Sequence, residues 1–219
     1  MQLGMIGLGR MGANMARRLR RANIKLAAYN RNPEVTHSLA KETGLTAAIS
    51  VEELVELLPT PRVIWLMLPA GEITQQYIDQ LSDLLDKGDI LIDGANSFYK
   101  DSMRRAIQLS EHGIQYVDAG VSGGVWGLEN GYALMVGGES DVVKHIESIL
   151  ISLAPAADKG WLHCGPPGSG HFTKMIHNGI EYGMMQAYAE GFALMKARED
   201  FDLDLGAIAE SWRHGSVVR

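Results

Sequence analysis

The sequence predicts an α/β protein in which a mostly parallel sheet, covered on both faces by helices, is followed by an all-helical C-terminal region. Short apolar runs alternate with helix-period segments through most of the 219 residues. A glycine-rich turn joins the first run to the first helix. Beyond Gly165-Pro166-Pro167-Gly168-Ser169-Gly170 the alternation stops and only helical periodicity remains.

Leu3 to Ile6 is the first apolar run, ended by Gly7, and Arg10 to Arg21 follows with Met11, Met15 and Leu19 on one helical face. Ile24 to Tyr29 reads as a second strand. Pro33 opens a second helix to about Lys41, proline being favoured at a first helical position. The result is a βαβ unit of about 30 residues, the usual size. Further strands are predicted at Val63 to Leu68, Ile90 to Ile92, Gln115 to Val117 and Ala133 to Val136. Helices are predicted at Val51 to Leu58, Glu72 to Leu85, Ser97 to Ser110 and Ser140 to Ser152. The Gly165 to Gly170 stretch reads as a hinge, and a domain boundary belongs there, dividing residues 1–165 from 166–219. His171 to Arg198 then reads as one long helix. Its Gly179, Gly183 and Gly191 cost up to about 1 kcal/mol each relative to Ala, so close packing against another element is expected. A last helix carries Leu205, Ile208, Ala209 and Trp212 at i, i+3, i+4, i+7.

With 46% hydrophobic and 21% charged residues, the chain is one that buries a core, which excludes disorder as its main state. Cys164 is the single cysteine, so no intramolecular disulfide forms, and the first residues read as strand and turn instead of a cleavable leader. A cytoplasmic location is expected. The best apolar run, Val63 to Leu68, falls far short of the roughly 18 residues of a membrane span, so no membrane partner is expected. A net charge of −6 argues against nucleic acid, and Arg17, Arg18, Arg20 and Arg21 read as a solvated helix face.

Gly7-Leu8-Gly9-Arg10-Met11-Gly12 fits G-x-G-x-x-G between a strand and a helix. Gly7 takes the tight turn, Gly9 lets backbone approach a pyrophosphate, and Gly12 lets helix pack on strand. The alternation around it is then a doubly wound Rossmann-type sheet, and residues 1–165 a dinucleotide-binding domain. At the end of the second strand, where an acidic residue would bind a ribose 2′-hydroxyl, stand Asn30 and Arg31. A guanidinium pairs with a 2′-phosphate, so NADP is favoured; in the alternative reading Arg31 is a surface residue and NAD is accepted too. Leu68, Pro69 and Ala70, after the third strong strand, are placed to line the cofactor crevice.

Lys174, His177, Asn178 and Glu181 fall at i, i+3, i+4 and i+7 of the long helix, with Tyr182 beside them. A solvated stripe is the plain reading. An amine, a carboxylate, an amide and an imidazole together also form an acid, base and orienting set, and burial can bring a lysine near operating pH. Ser122-Gly123-Gly124 and Asp93-Gly94-Ala95-Asn96-Ser97 sit at strand exits, where amides and short polar side chains meet ligands or simply make turns. Cys164, His171 and His177 match no structural zinc spacing, so no metal is expected.

These segments, together with Val125-Trp126-Gly127-Leu128-Glu129-Asn130-Gly131-Tyr132 and Lys174 to Tyr182, resemble the signatures of decarboxylating 6-phosphogluconate dehydrogenases in their order and spacing. The resemblance is to the short bacterial-type branch, within the β-hydroxyacid dehydrogenase superfamily. It implies oxidative decarboxylation of 6-phosphogluconate to ribulose 5-phosphate and CO2 with NADP, as in the pentose phosphate pathway. By the same resemblance Lys174 is the general base and Glu181 the general acid. Asn96, Ser122, Gly123, Gly124, His177, Asn178 and Tyr182 hold substrate, Asn96 also bordering cofactor. Ala95 stands where the longer enzymes more often have Gly. The superfamily's 3-hydroxyisobutyrate dehydrogenases would carry Asn at 177 and lack Glu181-Tyr182; a non-catalytic NADP-binding module is the other alternative. A homodimer or homotetramer is expected. Residues 166–219 read as the start of a helical substrate and dimerisation domain. That domain is expected to be C-terminally incomplete, with apolar helix faces left uncovered.

Overall fold

Alternate residues of the first strand feed two different cores, Leu3 and Met5 one and Ile6 the other. A strand buried on both faces must do this. The computed structural model describes residues 2–218. Its strands are β1 (Gln2–Ile6), β2 (Lys25–Tyr29), β3 (Thr46–Ala47), β4 (Val63–Leu66), β5 (Ile90–Asp93), β6 (Gln115–Ser122), β7 (Ala133–Gly137) and β8 (Trp161–Gly165). They form one sheet in the order β3-β2-β1-β4-β5-β6-β7-β8. The first six are parallel, β7 runs antiparallel to β6, and β8 parallel to β7. The doubly wound fold is therefore present, and strand order reverses between β1 and β4, which puts the ligand crevice at their carboxyl ends.

Helices α1 (Arg10–Arg21), α2 (Pro33–Thr43), α3 (Val51–Glu56), α4 (Glu72–Ser82), α5 (Tyr99–Glu111), α6 (Gly127–Asn130), α7 (Ser140–His145) and α8 (Glu147–Leu153) connect the strands. Met15, Leu19 and Leu150 close one core; Leu54, Ile78 and Leu109 close the other. Local chemistry fixes the ends. Asn32 accepts the Glu34 N–H at 3.0 Å with Pro33 at the first helical position, and Gly44 stops α2 at φ 71°. Ser50 accepts the Glu53 N–H at 3.1 Å, while Glu53 accepts the Ile49 N–H at 2.6 Å.

The departures from expectation have physical causes. β3 is two residues long and leaves no periodicity to read. β8 is a half-exposed edge strand whose sequence, Trp-Leu-His-Cys-Gly, lacks apolar alternation. β6 runs on to Ser122, beyond the predicted end at Val117, because Asp118 and Gly120 occupy core-facing positions that read as loop. The stretch predicted as a hinge is largely built into regular elements. Gly165 completes β8, while Ser169 and Gly170 already belong to α9 (Ser169–Ala197). A methyl on Gly170 would stand 2.6 Å from the Asp118 carbonyl oxygen and 2.7 Å from the Gly137 nitrogen, so this glycine serves close packing, not flexibility.

Two of the four arginines read as a solvated face, Arg18 and Arg20, are instead engaged with backbone, while Arg21 is exposed. Arg18 donates to the carbonyls of Leu153, Leu128 and Ala154, and Arg20 to those of Thr43 and Ile24. Arg17 pairs with both oxygens of Glu42 at 2.6 and 2.7 Å, and Arg21 with Glu129 at 3.2 Å.

The chain divides into two compact units, one ending at Met175 and one starting at Ile176. The sheet, its helices and the first turns of α9 make up the first. In the second, Asp204 caps α10 (Leu205–Trp212) by accepting the Ala207 N–H at 2.9 Å. Phe192 of α9 and Trp212 of α10 pack with their rings tilted at 57° and centroids 5.7 Å apart. Val217 and Val218 line the same open cleft as these rings, and Val217, Val218, Met184 and Leu194 are all exposed. The close packing expected at Gly179, Gly183 and Gly191 is not there, since an added methyl at any of them would meet nothing within 4 Å. Among the described residues no helix is long and apolar enough to cross a membrane.

Candidate active site

The turn after β1 is built around backbone contacts that only glycine permits. Gly7 has φ +95° and donates its N–H to the Tyr29 carbonyl at 3.0 Å; a methyl there would strike the Met67 carbonyl oxygen. A methyl on Gly12 would strike the carbonyl oxygen of Gly7, so α1 rests directly on its own turn. Gly9 differs, because nothing lies within 4 Å of its missing side chain. α1 has no side-chain cap at Gly9 and no acidic residue in its first turn. Its first N–H groups and positive dipole end, carried by Arg10, Met11 and Gly12, suit a diphosphate. Leu8 points its side chain into the core and donates its N–H to Asn30 Oδ1 at 2.9 Å. Asn30 Nδ2 donates in turn to the Asn32 carbonyl at 3.2 Å, so the Asn30 amide ties the glycine turn to the end of β2. Arg31, next along, is exposed.

The loops after β4 and β5 share one buried support that the sequence reading missed. Asp93, fully buried at the end of β5, accepts from Arg105 Nη1 at 2.9 Å, the Tyr116 hydroxyl at 2.9 Å, the Ser97 hydroxyl at 3.0 Å and the Ala95 N–H at 3.0 Å. Arg105, 1% exposed, also donates to Gln75 Oε1 at 2.9 Å and to the Gly71 carbonyl at 3.2 Å. One guanidinium thus braces both the Met67-Leu68-Pro69-Ala70-Gly71 loop and the Asp93 to Ser97 loop. The Thr74 hydroxyl adds a bond to the Pro69 carbonyl at 2.8 Å. Burial and the adjacent Asp93 carboxylate push the Tyr116 phenol well above its usual range. An acidic residue closing the all-apolar run Ile90-Leu91-Ile92 was the available signal, since a buried carboxylate demands a cation. Asp93 and Ser97 therefore face inward, away from any ligand.

Asn96 is exposed, in a left-handed conformation at φ +52°. Its amide grips Val121 from both sides, accepting the N–H at 2.9 Å and donating to the carbonyl at 3.1 Å. This fixes the residue before Ser122, Gly123 and Gly124. Gly123 and Gly124 have φ +133° and +51°, and the buried Tyr132 ring lies under the turn, 3.2 Å from where a Gly123 methyl would be. Lys174, in the second turn of α9 and 6% exposed, lies against β6 so closely that a methyl on Gly120 would strike its Cβ. The first unit thus gathers Asn96, Ser122, Gly123, Gly124 and Lys174 around the end of β6. In the second unit, His177 Nδ1 lies 3.3 Å from Asn178 Oδ1 and 3.8 Å from Glu181 Oε2, and Tyr182 is 70% exposed.

Residues 2–164 match the family model for the NAD-binding domain of 6-phosphogluconate dehydrogenase, and residues 170–200 the model for that enzyme's C-terminal domain. The chain belongs to the 6-phosphogluconate dehydrogenase family. Over its full length it is 42% identical to a putative 6-phosphogluconate dehydrogenase of Bacillus subtilis (strain 168), spanning 72% of that protein. It is likewise 42% identical to an NAD(+)-dependent, decarboxylating 6-phosphogluconate dehydrogenase of Haloferax volcanii, spanning 71% of it. Among solved structures, the 6-phosphogluconate dehydrogenase of Plasmodium falciparum, studied with NADP+ and with 6-phosphogluconate, superposes with a TM-score of 0.90 at 32% identity. The match covers 98% of this chain and 48% of that one. The 3-hydroxyisobutyrate dehydrogenase of Mycobacterium tuberculosis superposes with a TM-score of 0.84 at 26% identity, over 100% of this chain and 71% of that one. The chain is thus the oxidoreductase type that binds a nicotinamide dinucleotide, and it spans about half the length of the longer relatives.

Proposed function

We propose that this chain carries the cofactor site and the general base of an NADP-dependent, decarboxylating 6-phosphogluconate dehydrogenase. In this reading residues 1–165 bind the dinucleotide and residues 166–219 begin the substrate and dimerisation domain. The observation that carries it is Lys174, a buried residue whose stem lies against Gly120, two residues before the Ser122-Gly123-Gly124 turn, in a chain whose uncapped glycine-turn helix suits a pyrophosphate. Gly7, Leu8, Gly9, Arg10, Met11 and Gly12 would cradle the diphosphate, Leu68, Pro69 and Ala70 would border the nicotinamide half, and Arg31 would meet the 2′-phosphate. Asn30 contributes by fastening the turn. When bound, the nicotinamide accepts the hydride from C3 of the substrate.

Lys174 Nζ takes the C3 hydroxyl proton as C3 is oxidised. The resulting β-keto acid loses CO2, and the protonated Lys174 stabilises the oxygen onto which the electrons move. Glu181 then delivers a proton to C1 of the enediol, giving ribulose 5-phosphate. Asn96, Ser122, Gly123, Gly124, His177, Asn178 and Tyr182 would hold the sugar acid, Tyr182 at its phosphate. His177 and the Glu181-Tyr182 pair favour this substrate over 3-hydroxyisobutyrate. Mixing the protein with NADP and each of the two acids, and following absorbance of the reduced nicotinamide, tests the reading. Turnover of 3-hydroxyisobutyrate in preference to 6-phosphogluconate would sink it, as would failure to bind either dinucleotide.

Cofactor choice gives a separate expectation. Arg31→Ala should weaken NADP by about 1.5–3 kcal/mol, the worth of hydrogen bonds to a charged group, and leave NAD nearly unaffected. Titration of both dinucleotides checks this, and parallel losses would remove Arg31 from 2′-phosphate recognition.

A further inference from the structure

We propose that Asp118 is a positioning residue that sets Lys174 at the reacting carbon by locking the first turn of α9 in register with β6; the proposal rests on Lys174 being the general base. Asp118 is fully buried, and its two oxygens are divided between two backbone donors at the helix start. Oδ1 accepts the Gly168 N–H at 2.6 Å and Oδ2 the His171 N–H at 2.7 Å. These donors have no partner within the helix, and a carboxylate complements the positive end of the helix dipole.

The same strand then receives the helix step by step. Gly170 approaches the Asp118 carbonyl so closely that a methyl there would stand 2.6 Å from the oxygen. Four residues later Lys174 lies against Gly120, two residues further along β6. Four helical residues advance about 6 Å and two strand residues about 6.6–6.8 Å, so helix and strand keep pace. A shift at the Asp118 end is therefore transmitted to Lys174 with little loss. Ser122, two residues on again, ends β6 and opens the Ser-Gly-Gly turn. The His171 ring supplies a second fastener, its Nδ1 2.7 Å from the Ser102 hydroxyl of α5. Burial pushes the Asp118 carboxyl up, against the pull of His171 and of the two N–H groups. A neutral amide at this position would satisfy only one donor and turn its own NH2 toward the other.

The test compares the parent chain with Asp118→Asn and Lys174→Met. In the parent, the Gly168 and His171 amides should exchange hydrogen as slowly as those of Val117 and Ala119 in β6. In Asp118→Asn, with melting temperature recorded alongside, acylation of Lys174 should accelerate at least about tenfold relative to Lys87 and Lys144, and kcat with 6-phosphogluconate should fall about 30-fold. KM and the NADP dissociation constant should each move less than about threefold, a split that general loosening would not produce. Fast exchange of the two amides in the parent overturns the proposal even if the variant fails to fold. Unchanged Lys174 acylation and kcat in a folded Asp118→Asn overturns it as well. Lys174→Met retaining turnover within threefold of the parent defeats instead the assignment of Lys174 as base, whatever Asp118 does.

Discussion

Replacing Lys174 with methionine should lower turnover of 6-phosphogluconate by about 10²–10⁴, the usual contribution of a positioned acid or base, with NADP binding nearly unchanged. Methionine preserves the unbranched stem that lies against Gly120, so packing on β6 survives while the amine is lost. The separation from cofactor binding follows from topology. The phosphate cradle hangs on β1, α1 and the end of β2, whereas Lys174 is seated on β6, three strands away from β1 in the sheet order. Steady-state kinetics and a cofactor titration on the same preparation decide it. Turnover within threefold of the parent would exclude Lys174 from proton transfer. A loss carried equally by NADP affinity would mean that the substitution disturbs the sheet and not the chemistry.

The parts of this protein that were legible in its sequence are those where local and tertiary demands coincide. Gly7, Gly9 and Gly12 announce the cofactor turn because each answers a different steric requirement, and the structure makes each requirement visible as a collision or an open space. The strands β1, β4 and β5 are buried on both faces and read as apolar runs. What escaped reading is polar and long-range. Arg105 pairs with Asp93 from twelve residues away, and Asp118 holds the start of α9 from fifty residues away. No periodicity links such partners. The same blindness made Arg18 and Arg20 look like surface charges, when their guanidinium groups clamp carbonyls on other elements. It also turned Gly170 into a hinge, since a glycine required by a neighbouring backbone looks the same in sequence as one that confers freedom. Asn96 and Asn30 were read as ligand-facing amides, and the structure gives both a prior engagement with backbone, Val121 and Leu8 respectively. What changes is how a substitution there would act, through the loop each one holds.

The largest effect on stability is expected at Arg105. Arg105→Ala should destabilise the fold by about 3–5 kcal/mol, because it leaves Asp93 charged and buried with its strongest partner gone. Three neutral donors remain on Asp93, from Tyr116, Ser97 and Ala95, and they soften but do not replace a buried cation. The variant also releases Gln75 and the Gly71 carbonyl, so the loop bearing Pro69 and Ala70 should loosen and NADP affinity should drop with stability. Urea unfolding measures the first effect and cofactor titration the second. The double variant Asp93→Asn/Arg105→Met separates charge from packing: removing both ions together should recover part of the single-variant loss, because the uncompensated carboxylate is then absent. An Arg105→Ala loss below about 1 kcal/mol, the scale of an exposed pair, would mean that water reaches Asp93 and that the two loops are held by other contacts.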